Sequence, residues 1–308
     1  FYKLKPKNII AVTGTNGKTS VADIFYQILR INKFSVATIG TLGVKYNNKT
    51  IKTNLTSPDT INLHKYLNFL KRKKINNVII ESSSHGLDQR RLHHINFKGA
   101  IFTNFSQDHL DYHKTMKSYL NAKLFLFEQI LFNHKSIISD STIPEFLKLK
   151  RIAKKRRLRL IDVNKIKNKI PSQALKFTKF QIINLSMAIE AAKLCGLAEK
   201  KIFSSLKKIK DVNGRLELVK TFSNNVKVYV DFAHTPDALK KVLDTLKDFH
   251  GNNITLVFGC GGDRDIKKRP LMARVASENC KKIYVTDDNP RNENPKKIRY
   301  EIMKGLKN

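Results

Sequence analysis

Asn8-Ile9-Ile10-Ala11-Val12-Thr13-Gly14-Thr15-Asn16-Gly17-Lys18-Thr19 is the stretch that decides the fold. Its first half is a continuous apolar, β-branched run, the pattern of a strand buried on both faces. Two glycines then mark a turn, and the pattern that follows predicts an amphipathic helix from about Lys18 to Ile31. A strand handing over to a helix through such a turn aims backbone N–H groups, backed by the helix dipole, at an anion. Lys18 would reach the terminal phosphates of a nucleotide, and the Thr19 hydroxyl would ligate Mg²⁺. The standard phosphate-loop pattern has a glycine where Val12 stands, so an ordinary strand–helix turn is the competing reading. Gly17-Lys18-Thr19 at the junction favours phosphate.

On either side of that junction apolar runs alternate with helical patterns, the signature of βαβ units and a mostly parallel sheet. Strands are read at Asn77–Glu81, Ala100–Thr103 and Ser136–Ser139, and helices at Ile61–Arg72, Thr115–Leu131, Ile182–Leu194 and Ile202–Ile209. A second βαβ run takes strands at Val226–Asp231, Ile254–Gly259 and Lys282–Thr286, with helices at Pro236–Phe249 and Lys268–Asn279. No element is read over Asn164–Lys176. The fold class is therefore α/β: a central P-loop-type, mostly parallel sheet domain over 1–211, then an incomplete Rossmann-like α/β domain over 212–308.

Composition bounds the function. The chain has 308 residues with 59 Lys+Arg against 25 Asp+Glu, a net charge of +34, and 41% hydrophobic residues, enough for a packed core. No apolar run approaches the ~20 residues of a membrane span, and no apolar h-region opens the chain. Cys195, Cys260 and Cys280 are too far apart for a disulfide framework or a CxxC metal site, which fits a reducing cytoplasm. The excess charge is the footprint of a nucleic-acid binder. The basic residues are spread along the whole chain, however, and the aromatics are not interleaved with the basic clusters as a stacking platform requires. A lysine-rich scaffold is the better reading. The chain opens on Phe1 and stops in a helix-like stretch, so it is expected to be a piece of something longer.

Further motifs stand at strand ends. Glu81, followed by Ser82-Ser83-Ser84-His85-Gly86, points into the crevice where parallel sheets bind ligands, well placed for Mg²⁺ opposite Thr19. His109 and His113 have a zinc-like i, i+4 spacing, but no glutamate follows His109, and a magnesium–phosphate role fits better. Phe258-Gly259-Cys260-Gly261-Gly262-Asp263-Arg264-Asp265 lets a ligand approach the backbone. Asp288-Asn289-Pro290-Arg291 offers a guanidinium fork to a carboxylate. Two such loops at matching strand ends indicate one site.

Together these motifs resemble the Mur ligases, ATP-dependent amide ligases of the peptidoglycan stem peptide, over nearly the whole chain. Glu81–Leu87, Asp108–His113, Ala233-His234-Thr235-Pro236-Asp237 and Phe258–Asp265 look like members that add the third residue. The Asp288–Arg291 loop is similar to those selecting meso-diaminopimelate. The resemblance implies that Gly14, Thr15, Asn16, Gly17, Lys18, Thr19 and Ser20 bind ATP, with Asn184, Arg215 and Asp231 on the nucleotide. It implies Mg²⁺ on Thr19, Glu81, His109 and Lys123, the lysine carbamylated and so carboxylate-like, and it makes Lys18, Glu81, His109 and Lys123 the catalytic set. Asn54, Leu55, Thr56, Ser83, Gln89 and Arg91 would hold UDP-MurNAc-L-Ala-D-Glu, while Arg264, Asp288, Asn289, Pro290 and Arg291 would hold diaminopimelate. The family pattern has threonine at Leu55 and at Ser20, and asparagine at Gln181. Its N-terminal UDP-binding domain and its C-terminal end are missing from this sequence, so the fragment alone is expected to turn over little.

The implied partners are small molecules, with no nucleic acid and no membrane, for a cytoplasmic monomer. Two other readings have tests: a folylpolyglutamate synthase-like ligase, which shares a related ATP loop, and a P-loop ATPase stimulated by nucleic acid with a steep salt dependence.

Overall fold

The computed structural model describes residues 4–171 and 178–306. The first run of elements is β1 (Asn8–Thr13), α1 (Lys18–Ile31), β2 (Val36–Gly40), β3 (Gly43–Tyr46), β4 (Lys49–Ile51), α2 (Thr60–Arg72) and β5 (Asn77–Glu81). It continues through α3 (Ser84–Asp88), β6 (Gly99–Phe102), α4 (Leu110–His113), α5 (Met116–Phe125), β7 (Ser136–Ser139), α6 (Phe146–Lys155) and β8 (Arg159–Asp162). The rest is α7 (Lys179–Leu194), α8 (Glu199–Ser205), β9 (Glu217–Thr221), β10 (Lys227–Val230), α9 (Pro236–His250), β11 (Thr255–Phe258), α10 (Lys268–Asn279), β12 (Lys282–Val285) and α11 (Pro295–Met303). Two compact units result. The first takes the described residues up to Phe105 and again Leu120–Lys210, and the second takes Ser106–Tyr119 and those from Asp211 onward.

In the first unit eight strands run in the order β4-β3-β2-β5-β1-β6-β7-β8. The six from β2 to β8 pair in parallel, and β3 and β4 extend the edge antiparallel. All six residues of β1 are buried, as the apolar run predicts for the centre of a parallel sheet. The α/β reading with a mostly parallel sheet is correct. Caps fix the helices locally: the Asp59 side chain accepts from Asn62 N at 2.9 Å to start α2. On α7, Thr178 and Gln181 form a reciprocal capping box, so the glutamine that departs from the family pattern starts this helix.

The second unit holds, among the described residues, two small sheets. β11 and β12 pair in parallel and pack on α9, α10 and α11, with Leu239, Leu243, Met272, Ala273, Ile298 and Ile302 in the core. β10, read as the first strand of that βαβ run, instead pairs antiparallel with β9. Its alternation is weak, and Val228 and Val230 stay exposed, so pattern alone could not choose its partner.

The predicted helix Thr115–Leu131 is present as α5 running directly into a π-helical turn, with a short separate helix, α4, before it. Lys114 takes φ 64° between α4 and α5, and Leu126–Ile130 is a π-helical turn. β2–β4, β8 and β9 are strands that pattern reading missed. Short 3₁₀ turns occupy Val163–Lys165 and Lys167–Lys169, and the rest of Asn164–Lys176 from 172 onward lies outside the described residues. No helix among the described residues is long and apolar enough to cross a membrane.

Burial also silences the thiols. It pushes Cys195 up to about 12, and Cys260 and Cys280 up to about 11. At pH 8 a water-soluble disulfide reagent is expected to label the folded chain slowly, at most about a thousandth of each thiol being thiolate, and about tenfold faster per pH unit. Rapid labelling at pH 8 before denaturant is added would contradict this burial.

Candidate active site

The Gly14–Thr19 turn is built for close approach. Gly17 caps α1 at φ 86°, and Gly14 sits at φ 143°, both in the region that favours glycine. A Cβ on Gly14 would lie 1.9 Å from Thr103 Oγ1, and one on Gly17 would lie 2.7 Å from Asn184 Oδ1. Asn184, expected at the nucleotide, is therefore packed against the loop. The strand end after β6 buttresses the same turn: Thr15 N donates to Asn104 O at 3.0 Å, Asn16 N to Asn104 Oδ1 at 2.9 Å, and Thr103 Oγ1 to Asn16 O at 2.6 Å. Thr103 and Asn104 were not singled out as loop supports, because nothing in their own pattern reveals a neighbour 90 residues away.

Two lysines converge on one carbonyl. Lys18 Nζ donates to Gly14 O at 2.9 Å and to Thr15 O at 2.8 Å, and Lys123 Nζ donates to Gly14 O at 2.8 Å. Lys123 is 1% exposed, on α5. A lysine so deeply buried is rare, which sets it apart from the surface lysines that dominate this composition.

Glu81 closes the site at the end of β5. Its carboxylate, 2% exposed, accepts from Thr19 Oγ1 at 2.9 Å, Thr41 Oγ1 at 3.1 Å and Thr41 N at 3.0 Å. Hydroxyls and an amide meet it, and among the described residues no side-chain cation does. A buried carboxylate beside a threonine hydroxyl, without a fixed counter-charge, fits a hard divalent cation whose remaining ligands are phosphate oxygens and water. No group of three or more His, Cys, Asp or Glu side chains among the described residues could hold a metal on its own. Thr41 is a functional position the sequence reading missed. Gly40 beside it is forced: a Cβ there would lie 2.1 Å from Glu81 Oε1.

A chain of contacts leads from Glu81 to the residues expected to hold the glycopeptide. Ser57 Oγ donates to Glu81 O at 2.8 Å and lies 3.0 Å from Ser83 Oγ, while Ser83 caps α3 by accepting from Gly86 N at 3.1 Å. Arg91 Nη1 donates to Ser57 O at 2.8 Å, and Arg91 also bonds Gln89. Thr56 Oγ1 lies 3.2 Å from Thr41 Oγ1, whereas Asn54 and Leu55 stand exposed just before it. Ser57 is the unanticipated centre of this group.

In the second unit Asp108 is a hub. Its buried carboxylate pairs with His109 Nε2, His234 Nε2 and Lys268 Nζ, each at 3.2 Å. Burial alone would raise its pKa, but the His234 hydrogen bond and the charges of His109 and Lys268 hold it well below the usual carboxylate range. His109 itself takes φ 54° and meets Tyr119 edge-on. Asp231 Oδ2 accepts from Leu216 N at 2.6 Å, and burial raises its pKa, while Arg215 stacks over Phe232 at 5.1 Å.

The two strand-end loops after β11 and β12 interlock. A Cβ on Gly262 would lie 1.9 Å from Pro290 O, and one on Gly259 would lie 2.4 Å from Thr286 O, so only glycine permits the contact. Gly262 N donates to Asn289 O at 2.9 Å, Arg291 Nη1 to Gly262 O at 2.6 Å, and Asn292 Nδ2 to Asp263 Oδ2 at 2.9 Å. Arg264 is exposed beside them, and Gln107 Nε2 donates to the buried Asp265 at 3.0 Å. The loops expected to share one ligand are thus in direct contact.

Known proteins share the sequence and the fold of this chain. Residues 12–194 match the Mur ligase middle domain, and residues 214–308 match the Mur ligase, glutamate ligase domain. The UDP-N-acetylmuramoyl-L-alanyl-D-glutamate–2,6-diaminopimelate ligase of Rhizobium meliloti (strain 1021) is 39% identical, aligned over 100% of this chain and 68% of its own. A solved ligase of that name superposes with a TM-score of 0.68 at 29% identity, over 99% of this chain and 66% of its own. Mycobacterium tuberculosis folylpolyglutamate synthase gives a TM-score of 0.74 at 15% identity, over 99% and 79% of the two chains, a likeness of fold alone. This chain spans about two thirds of the length of the diaminopimelate ligases it matches.

Proposed function

We propose that this chain, which belongs to the Mur ligase family, carries the machinery that joins meso-diaminopimelate to UDP-MurNAc-L-Ala-D-Glu through an acyl phosphate. Membership makes it an ATP-dependent ligase of peptidoglycan synthesis. What carries the finer reading is the interlocked loop pair after β11 and β12, where the guanidinium groups of Arg264 and Arg291 suit an amino acid with free carboxylates. We place the enzyme in the cytoplasm as a monomer acting on small molecules.

A carboxylate and an amine do not condense in water, so the D-Glu side-chain carboxylate first takes the γ-phosphoryl group of ATP. That carboxylate is already nucleophilic and needs orientation and relief from charge repulsion more than a base. Lys18 and the N-terminal amides of α1 supply both at the phosphates. Thr19 and Glu81 would hold Mg²⁺, which neutralises phosphate charge when bound. Ser83, Gln89 and Arg91 orient the glycopeptide, with Ser57 fixing their geometry. The amine must shed a proton to attack, since an α-amino group is mostly protonated near neutral pH.

Phosphate release by the intact enzyme separates the readings. UDP-MurNAc-L-Ala-D-Glu with diaminopimelate is expected to stimulate release, and folate with glutamate is not. Stimulation by the folate pair alone would overturn the assignment, and release driven by DNA or RNA would favour the ATPase.

A further inference from the structure

Arg269, the second residue of α10, is the largest fully buried side chain among the described residues, with 1% of its side chain exposed. Its Nη1 and Nη2 each donate to Glu293 at 2.8 Å, a bidentate fork. Nη1 also donates to Glu301 on α11 at 2.6 Å, and Nη2 to the carbonyl of Gly261 at 3.2 Å. Glu293 in turn accepts from Asp263 N at 2.5 Å. One guanidinium therefore ties the glycine loop to the Asp287–Glu293 loop from beneath, and Glu293 completes the tie by gripping the backbone next to Arg264.

Nothing in the reaction requires a buried arginine here. A lone buried charge is costly, so this one persists with two carboxylates around it. Of those, Glu301 belongs to a helix, while Glu293 lies on the loop itself. The same arginine thus has one partner whose loss affects packing and another whose loss frees the loop.

We propose that Arg269, acting through Glu293, is a positioning residue that holds Arg264 and the Asp288–Arg291 loop in register for an incoming amino acid with free carboxylates. This rests on assigning those loops to the amine substrate. The pair touches no substrate. Its effect is to remove the need to order two loops at the moment of binding, which otherwise weakens affinity.

The test compares Glu293→Gln with Glu301→Gln in the intact ligase, by hydrogen exchange and by steady-state kinetics. Glu293→Gln is expected to speed exchange of the Asp263 amide and to raise the KM for diaminopimelate about tenfold, leaving the KM for ATP within about twofold. Glu301→Gln should lower the melting temperature and leave both KM values unchanged. Arg269→Lys, which keeps the charge but loses the fork, should reproduce the Glu293→Gln split and covers the case in which that variant folds poorly. Equal rises in the diaminopimelate KM for Glu293→Gln and Glu301→Gln would reduce Arg269 to a packing role and overturn the proposal, as would wild-type exchange at Asp263. An Arg291→Ala arm separates the two levels. If it raises the diaminopimelate KM while Glu293→Gln does not, this inference alone fails. If neither variant moves it, the assignment of the loops fails first.

Discussion

Replacing Lys123 by alanine in the intact ligase is expected to slow acyl-phosphate formation at least about 100-fold, the scale on which a single preorganised electrostatic group counts. Lys123 is fully buried and shares the Gly14 carbonyl with Lys18, so its removal alters the Gly14–Thr19 turn. Two accounts of the loss differ in chemistry. If Lys123 acts as an ammonium beside the loop, no added anion will restore activity. If it is carbamylated and serves as a carboxylate-like metal ligand, a short carboxylate diffusing into the vacated space should restore part of the rate. Single-turnover formation of the acyl phosphate, measured with and without added formate, distinguishes them. Turnover like that of the wild type would remove Lys123 from the site altogether.

Asp108→Asn should destabilise the second unit by about 3–5 kcal/mol in urea denaturation. The reason is Lys268, whose side chain is only 6% exposed and whose ammonium faces Asp108 at 3.2 Å. Asparagine keeps the shape but leaves that ammonium buried without its counter-charge. A double variant, Asp108→Asn with Lys268→Met, should be less destabilised than the sum of the two single changes, because the orphaned charge is then gone. Strict additivity would show that the pair does not interact. Asp108 also fixes His109 and His234, so the same variant should lose ligase activity at temperatures where it is still folded.

Much of the first unit was legible because its signals are local. A fully apolar strand, a Gly-Lys-Thr turn and a helical repeat follow one another within residues 8–31, and the structure places β1 and α1 where that pattern puts them. Glu81 was legible for a related reason: an acid that ends a buried parallel strand must face the crevice. Thr41, Ser57, Asn104 and Arg269 were not legible. Each acts by meeting a group far along the chain, Thr41 at Glu81 and Arg269 at Glu293 and Glu301, and no periodicity records such a meeting. The antiparallel pairing of β10 with β9 escaped notice likewise, since a short strand with exposed valines carries no mark of its partner.

The net charge of +34 shows the same division. Composition alone raised nucleic acid, and motif context redirected it to a lysine-rich scaffold around retained acids. The sequence by itself determined the α/β class, the strand–turn–helix junction at Gly14–Thr19 and the family, because strand burial, glycine conformation and motif order are properties of contiguous residues. Only the tertiary structure decided which of the many lysines and arginines are withdrawn from water. Burial singles out Lys123, Lys268 and Arg269, and a cation withdrawn from water persists only where the fold brings oxygen acceptors to it.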